Sequence, residues 1–285
     1  MDILLKPDAL SLSGSMKHFV IAASNEVSFM LKVADGGPVL VQHTYTPNKQ
    51  RQVDIDIEGI VQPLLSFQLR DTSEPYQQAG IIATLSVVIM EQGVKRPETF
   101  QFSVLRAGID RLSDTAEHWL EANFLTWQPT LKPVTYYTPE FLTYYAVHSA
   151  VVHCRAYVEH NGQYTTTDLT LANLEEGKVW TIPTQYAIIA GKLGQLPSYY
   201  DVWVTDTNGQ QLTYIQRYYA SDMRSEDEQW ILFENSLGGI DTFRAYGQAE
   251  ATAKHTHNIA EIANQAEEYR VDTERTYKKT TLETN

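Results

Sequence analysis

The sequence predicts a mainly β protein, built from tandem β-sandwich domains and a C-terminal segment that combines a β-hairpin with a helix. One sandwich is expected to be jelly-roll-like and the other fibronectin- or immunoglobulin-like. Short runs of β-branched and aromatic residues recur through residues 1–222, and turn residues separate them about every ten positions. Because 43% of the 285 residues are hydrophobic, the chain can fill cores of this kind.

Residues 1–109 are predicted to form the first sandwich. QVDIDIE (52–58) alternates strictly between apolar and acidic residues, as expected of a half-buried strand. IIATLSVVIM (81–90) is nearly all apolar and predicts a buried strand. GIVQPLLSFQL (59–69) is the exception, because its apolar spacing and Pro63 favour a short helix or a turn. The other predicted strands lie at 18–23, 27–33, 38–47 and 99–108.

Residues 119–222 are predicted to form the second sandwich, after a polar boundary segment at 110–119. The pair Asn208-Gly209 predicts a type I′ hairpin turn, which needs positive φ at both residues. VWTIPTQYAIIAGKLG (179–194) begins as a strand, and beyond Pro183 its apolar spacing also suits a helix. Further strands are expected within 141–159, 164–171 and 201–220.

Residues 229–285 are predicted to form a hairpin and an extension that a partner, or residues outside this chain, would complete. The hairpin opens with WILF (230–233), which places large apolar residues on both faces of one strand. Either its own domain or another subunit is therefore expected to cover both faces.

The region from 249 onward contains no glycine or proline. Asn258 and Glu261 have the spacing of a helix capping box, and they predict a helix. The residues on its apolar face would be Ile259, Ile262, Ala263 and Ala266. Beyond it, Tyr269, Val271 and Thr273 alternate with charged residues and predict a strand.

The stretches FENSLGGIDTF (233–243) and ERTYKKTT (274–281) together resemble β-rich structural proteins of tailed bacteriophages and prophages, which belong to the tail or its host-recognition end. The resemblance implies a hairpin at a ring or fibre interface, in which Gly238 and Gly239 permit the turn. It also implies a homo-oligomer that contacts other particle proteins, located in the virion or in the cytoplasm before assembly. The interface residues would be Trp230, Ile231, Leu232, Phe233, Gly238, Gly239 and Phe243.

The composition argues against several classes of partner. The net charge of −13 repels phosphate backbones, so we expect no nucleic acid partner, and it does not favour anionic membranes. No apolar run approaches the ~18 residues of a membrane span, so no membrane insertion is expected. The N-terminus lacks the basic start and apolar core of a signal peptide.

Groups that could carry metal or cysteine chemistry all have a simpler interpretation. Asp54, Asp56 and Glu58 lie on one strand face and favour a solvated surface over a calcium site. The imidazoles of His255 and His257 lack a third ligand at a recognisable spacing. The lone cysteine lies near His148, His153 and His160, but its apolar neighbours favour a buried hydrophobic residue at Cys154. We therefore predict no catalytic residue, no metal and no cofactor.

The leading functional prediction is a non-enzymatic structural or assembly component of a phage-tail-like particle. The first alternative is a carbohydrate-binding or adhesive module that uses exposed tyrosine and tryptophan rings. Its candidate residues are Trp119, Trp127, Trp203 and the tyrosine doublets at 136–137, 144–145, 199–200 and 218–219. The second alternative is a glycoside hydrolase. Its candidate carboxylates are Glu117, Glu121, Glu140 and Glu159.

Overall fold

The chain is mainly β, as predicted. A computed structural model describes residues 1–94, 97–109, 115–223, 228–245, 249–262 and 265–279. Three α-helices occur in these ranges: α1 (Glu58–Val61), α2 (Ala116–Ala122) and α3 (Tyr186–Leu193). Short 3-10 helices occupy Ser13–Ser15, Gln62–Leu64 and Ala79–Ile81. The described strands are β1 (Asp2–Leu5), β2 (Leu10–Leu12), β3 (Phe19–Ala22), β4 (Val27–Val33), β5 (Val39–Tyr45), β6 (Gln52–Ile55), β7 (Tyr76–Gln77), β8 (Ile82–Glu91), β9 (Glu98–Leu105), β10 (Leu131–Val134), β11 (Phe141–Ala146), β12 (Ala150–His160), β13 (Gln163–Leu174), β14 (Lys178–Pro183), β15 (Tyr199–Asp206), β16 (Gln216–Ala220), β17 (Gln229–Glu234), β18 (Ile240–Ala245), β19 (Ala249–Ile262) and β20 (Gln265–Lys279).

The first sandwich packs a three-stranded sheet, β1-β3-β6, on a five-stranded sheet, β2-β9-β8-β4-β5. The Phe19 ring meets the rings of Phe29 and Phe102 edge-on, at centroid distances of 5.3 and 6.0 Å. In β6 the apolar residues are buried and Asp54 is exposed, which confirms the predicted alternation. The predicted break after this strand is also confirmed, because α1 and a 3-10 helix that contains Pro63 follow it.

The second sandwich packs the five-stranded sheet β10-β16-β15-β12-β13 on the three-stranded sheet β11-β14-β7. Strand β7 comes from the first hundred residues, and Tyr76 pairs with Thr181 of β14. Gln78, which follows this strand, also donates its side-chain N–H to Thr181 Oγ1 over 3.1 Å. The N-terminal segment therefore completes the second sandwich as well as forming the first. The ambiguous segment at 179–194 holds both β14 and α3, and the helix ends at Gly194 with φ +70°.

The type I′ prediction at Asn208-Gly209 is wrong, since only Gly209 has positive φ there. The Asp206 carboxylate accepts hydrogen bonds from the backbone N–H groups of Asn208 and Gln210, at 2.9 and 2.7 Å, and this side-chain-bonded turn replaces the predicted one. The other Asn-Gly pair in the sequence has positive φ at both residues, as a type I′ turn requires. Asn161 has φ +52° and Gly162 has φ +76°, and together they connect β12 to β13.

The predicted C-terminal helix is wrong as well. Asn258, Ile259 and Glu261 lie in β19, which pairs antiparallel with β20. The predicted helical face would have offered only two isoleucines and two alanines to a core, too little to stabilise a short helix. Opposite charges face each other across the strands instead. Ala263 lies outside the described residues, whereas the strand predicted around Val271 is confirmed as part of β20.

The chain divides into two compact units. Unit 1 comprises Met1–Ser221 and Phe233–Asp241, and unit 2 comprises Asp222–Leu232 and Thr242–Asn285. Both sandwiches therefore fall in one unit. Residues 110–114 of the expected boundary lie outside the described part, and the domain limits at 109, 119 and 222 stay predictions. None of the helices in the described ranges is long and apolar enough to cross a membrane.

Candidate functional site

Strand β17 presents large apolar side chains to solvent. Burial alternates along it: Trp230 and Leu232 are half-buried, while Ile231 and Phe233 are 50% and 47% exposed. The predicted division of the four residues between two faces is confirmed. The sequence left open whether the chain's own domain or another subunit covers both faces, and in this chain the face of Ile231 and Phe233 stays exposed.

Strand β18 forms a two-stranded sheet with β17, and we call this pair the apolar hairpin. Phe243 on β18 is 47% exposed, whereas Ile240 is 5% and Ala245 is 4% exposed. The hairpin thus combines exposed aromatic and aliphatic groups with buried ones. Phe243 is thus a third exposed large hydrophobic residue of the hairpin, beside Ile231 and Phe233.

Residues 235–239 connect the two strands, and we call them the anchored turn. Asn235 is 6% exposed, and its side chain organises the turn. Its Oδ1 accepts hydrogen bonds from the N–H groups of Leu237 and Gly239, at 2.9 and 3.1 Å. Its Nδ2 donates to the carbonyl oxygen of Leu125 over 3.0 Å. One buried amide therefore holds the shape of the turn and binds it to the second sandwich.

The two glycines of the anchored turn are required by close packing against backbone. A Cβ atom on Gly238 would lie 1.9 Å from the Arg106 carbonyl oxygen, and a Cβ on Gly239 would lie 2.0 Å from that of Leu125. Gly238 also has φ +86°, a conformation that favours glycine. The sequence predicted that these residues permit a turn. Their second role, contact with two distant backbone segments, leaves no signal in the sequence.

Further hydrogen bonds join the ends of the anchored turn to the same two segments. Gly108 donates its N–H to the Ser236 carbonyl oxygen over 2.5 Å, and Trp127 Nε1 donates to Ser236 Oγ over 2.8 Å. The carboxylate of Asp241 accepts from Thr126 Oγ1 at 2.5 Å and from the Trp127 backbone N–H at 3.2 Å. The sequence analysis missed Asn235 and Asp241, although a buried amide and a buried acid beside a glycine turn are the residue types that bind backbone.

The aromatic residues proposed for carbohydrate binding pack mainly on each other. Tyr157 and Tyr199 stack at a centroid distance of 4.2 Å, and the Arg217 guanidinium lies 4.8 Å from the Tyr199 centroid. Trp203 stacks on His153 at 5.5 Å. Tyr199 and Trp203 therefore each have a neighbouring ring stacked on one face. Trp119 is half-buried, and Trp127 is 63% exposed.

The tyrosine doublets follow the predicted division between core and surface in only two cases. Tyr200 and Tyr218 are fully buried while their neighbours in sequence face outward. Both rings of 144–145 are buried and both rings of 136–137 are exposed. In the β11 doublet, Tyr144 belongs to the core of the second sandwich, and its Oη donates to the carbonyl oxygen of Glu121 in α2 over 2.9 Å.

One of the four proposed hydrolase carboxylates is inaccessible. Glu140 is 0% exposed, and its Oε1 lies 2.5 Å from Lys132 Nζ. Burial raises the pKa of Glu140 to about 7, against the opposing attraction of Lys132. Burial lowers the pKa of Lys132 in turn. Glu117 and Glu159 are exposed and Glu121 is half-buried, so the four residues do not share one environment.

The remaining candidates keep their simpler interpretations. Cys154 is fully buried, and burial raises the pKa of its thiol to about 12, so it is a poor nucleophile. His255 is exposed, and its Nδ1 lies 3.0 Å from Thr273 Oγ1. In the part of the chain that the structure describes, no group of three or more histidine, cysteine, aspartate or glutamate residues could hold a metal ion.

Replacing either glycine of the anchored turn by alanine should destabilise the protein. We expect Gly238→Ala and Gly239→Ala each to lower the free energy of unfolding by about 3 kcal/mol, because the added methyl group meets a carbonyl oxygen that belongs to another segment. Chemical denaturation followed by tryptophan fluorescence measures the change. The matched control is Gly191→Ala in α3, whose new methyl group meets open space and should stabilise the helix by up to about 1 kcal/mol. Equal stability of all three variants would contradict the packing described above.

The buried Glu140 should make stability fall as the pH rises. Its folded pKa of about 7 exceeds its ordinary value of 4.5, so the folded state holds a proton that the unfolded state has lost. The resulting stabilisation is present below pH 4.5 and is lost as the pH rises through 7. Between pH 5 and pH 8 we expect the wild type to lose on the order of 2 kcal/mol more than Glu140→Gln. Urea denaturation at the two pH values measures this, and parallel losses in both proteins would refute it.

Comparison with known proteins does not place the chain in a family. No protein-family model matches the sequence, and no curated protein matches it. Among solved structures, the crystal structure of calcium-binding domain CBD12 of CALX1.1 is 9% identical, with 69% of this chain and 75% of that chain covered and a TM-score of 0.20. Salmonella alpha-2-macroglobulin reacted with methylamine is 12% identical, with 96% of this chain and 20% of that chain covered and a TM-score of 0.20. At these TM-scores, neither likeness supports a statement about this chain's fold or function.

Proposed function

We propose that this chain is a non-enzymatic structural component that acts through protein–protein contacts, with other copies of itself and with other proteins of a particle. The observation that carries the proposal is the exposure of Ile231, Phe233 and Phe243 on the apolar hairpin. A phage-tail-like particle is the setting that the resemblance at 233–243 and 274–281 implies.

The position of the anchored turn supports a contact role for the hairpin. The turn is held by a buried amide, by two glycines packed on backbone and by hydrogen bonds from Gly108 and Trp127. Glu234, which directly precedes the turn, also forms an ion pair with Arg106, with 2.5 Å between Glu234 Oε2 and Arg106 Nη1. A turn that is already fixed loses less conformational entropy on binding than a mobile loop does.

The three exposed side chains of the apolar hairpin are too few to form a stable interface by themselves. Burying a large apolar side chain contributes about 1.5–3 kcal/mol, and each of these three is already half-covered, so together they contribute roughly 3 kcal/mol. A stable interface buries about 800 Å² on each partner. The hairpin therefore serves as the apolar centre of a larger contact surface.

The proposal predicts that polar residues on the hairpin weaken self-association without unfolding the chain. Ile231→Ser, Phe233→Ser and Phe243→Ser, combined in one variant, should give a smaller assembly than the wild type at the same concentration. Because the three side chains are also about half buried, the free energy of unfolding should fall by roughly 3 kcal/mol, and circular dichroism checks that the variant is folded. Sedimentation equilibrium over a range of concentrations measures the mass.

The matched control is Leu196→Ser, which removes a side chain that is 63% exposed and lies outside the hairpin. It should assemble as the wild type does. A wild type that stays monomeric at high concentration would overturn the proposed function, and equal masses for the wild type and the triple variant would show that the hairpin is not the contact.

A further inference from the structure

Three polar side chains of the second sandwich meet around one nitrogen atom. Lys132 on β10 is 9% exposed, and Glu140, which directly precedes β11, is 0% exposed. The Lys132 Nζ atom lies 2.5 Å from Glu140 Oε1 and donates a hydrogen bond to Gln128 Oε1 over 2.7 Å. An amine, a carboxyl group and a carboxamide are therefore gathered at one point, and we call these three residues the Lys132 triad.

Several polar atoms of the Lys132 triad lack the hydrogen bonds that buried groups need. The Nε2 atom of Gln128 is buried and has no hydrogen-bond partner among the described residues. The same holds for both carboxyl oxygens of Glu140, apart from the ion pair with Lys132. Because an unpaired buried polar group costs free energy, the triad is unfavourable as a set of three separate side chains.

The backbone holds the members of the triad in place. Lys132 lies opposite Tyr218 in the parallel pairing of β10 with β16. The carbonyl oxygen of Glu140 accepts a hydrogen bond from the Thr184 N–H over 2.9 Å. Because a carbonyl bond is about 1.2 Å long, the Cδ atom of Gln128 lies no more than about 4 Å from Lys132 Nζ. The fold therefore keeps an amine close to a carboxamide carbon, which favours a reaction between them.

The electrostatics of the triad favour the reactive forms. Burial lowers the pKa of Lys132 and raises the pKa of Glu140 to about 7, while the attraction between the two opposes both shifts. Desolvation thus favours a neutral amine, which is the nucleophilic form of lysine. A carboxyl group with a pKa near 7 is also well suited to accept and donate protons at neutral pH.

We propose that Lys132 and Gln128 join in an intramolecular isopeptide bond, with Glu140 as the proton carrier. Glu140 takes a proton from the Lys132 ammonium group, and the neutral Nζ attacks Cδ of Gln128. The Nζ–Cδ bond forms and the Cδ–Nε2 bond breaks. Glu140 gives its proton to the departing Nε2 group, which leaves as ammonia, and takes a second proton from Nζ. The reaction needs no oxidant, metal or cofactor.

The product removes the unfavourable features of the triad. The unpaired Nε2 atom of Gln128 leaves as ammonia, and the positive charge of Lys132 disappears. The new amide keeps one N–H, for which Glu140 Oε1 is a nearby acceptor. Glu140 itself is not consumed, so its carboxyl group still titrates in the folded protein.

A direct bond between Lys132 and Glu140 is less favoured. It would release water, consume the acid that carries the protons and leave Gln128 Nε2 buried without a partner. The bond with Gln128 also acts on the segment that the anchored turn contacts, because Asp241 accepts hydrogen bonds from Thr126 and Trp127 just before it. The inference goes beyond the proposed function and does not depend on self-association.

Mass spectrometry of the denatured full-length protein tests the bond. The mass should lie about 17 Da below that calculated from its residues, which corresponds to the loss of one ammonia. Fragmentation of a proteolytic peptide that contains residues 128 and 132 should place the whole deficit between these two positions.

Two variants each remove one reactive group. Lys132→Arg keeps the positive charge but lacks the amine, and Glu140→Gln keeps the shape of the side chain but cannot carry the protons. Both should have the full mass calculated from their residues. The matched controls are Lys178→Arg and Glu159→Gln, which lie outside the triad and should keep the deficit. Circular dichroism checks that each variant is folded.

The wild-type mass decides the matter even if a variant fails to fold. A wild type with the full calculated mass would overturn the bond. A deficit that persists in Lys132→Arg, or one of about 18 Da that corresponds to water, would overturn it as well. None of these results touches the proposed function, which fails only if the wild type does not associate.

Discussion

The close approach of the anchored turn to two separate backbone segments is the constraint on which the rest of unit 1 depends. Residues 235–239 lie against Arg106 at the end of the first sandwich and against Leu125 at the start of the second. The carbonyl groups of these two segments occupy the space where Gly238 and Gly239 would otherwise carry side chains. A short stretch from the C-terminal part of the sequence thus joins the segments that follow β9 and precede β10.

This constraint does not depend on the exposed hydrophobic residues of the apolar hairpin. The free energy that holds the turn in place comes from buried polar groups, mainly Asn235 and Asp241, and from packing on backbone. The exposed side chains of β17 and β18 are therefore free to serve a contact.

The sequence predicted the fold class because strand signals are local. The alternation of β6 and the apolar run of the β8 region are visible within ten residues, and both strands are confirmed, although β8 is buried on one face only and Met90 is 42% exposed. The type I′ turn predicted at Asn208-Gly209 is wrong because the side chain of Asp206 binds the backbone of this turn and sets its geometry. The type I′ geometry occurs at Asn161-Gly162 instead. The helix predicted from Asn258 failed because capping signals do not report whether a core lies beside the helix. The contribution of β7 to the second sandwich, and the contacts of Gly238 and Gly239, join residues far apart in sequence and left no local pattern.

Hydrogen exchange of single backbone amides tests most directly whether the anchored turn is part of unit 1. The N–H groups of Gly108 and Gly239 are bonded to the turn and within it. If the turn is integral to the unit, these amides should be protected nearly as strongly as that of Val87 in the middle of β8, because they would open only when the unit unfolds. Exchange as fast as that of an exposed loop glycine such as Gly36 would mean that the turn detaches on its own, and that its packing does not hold the unit together.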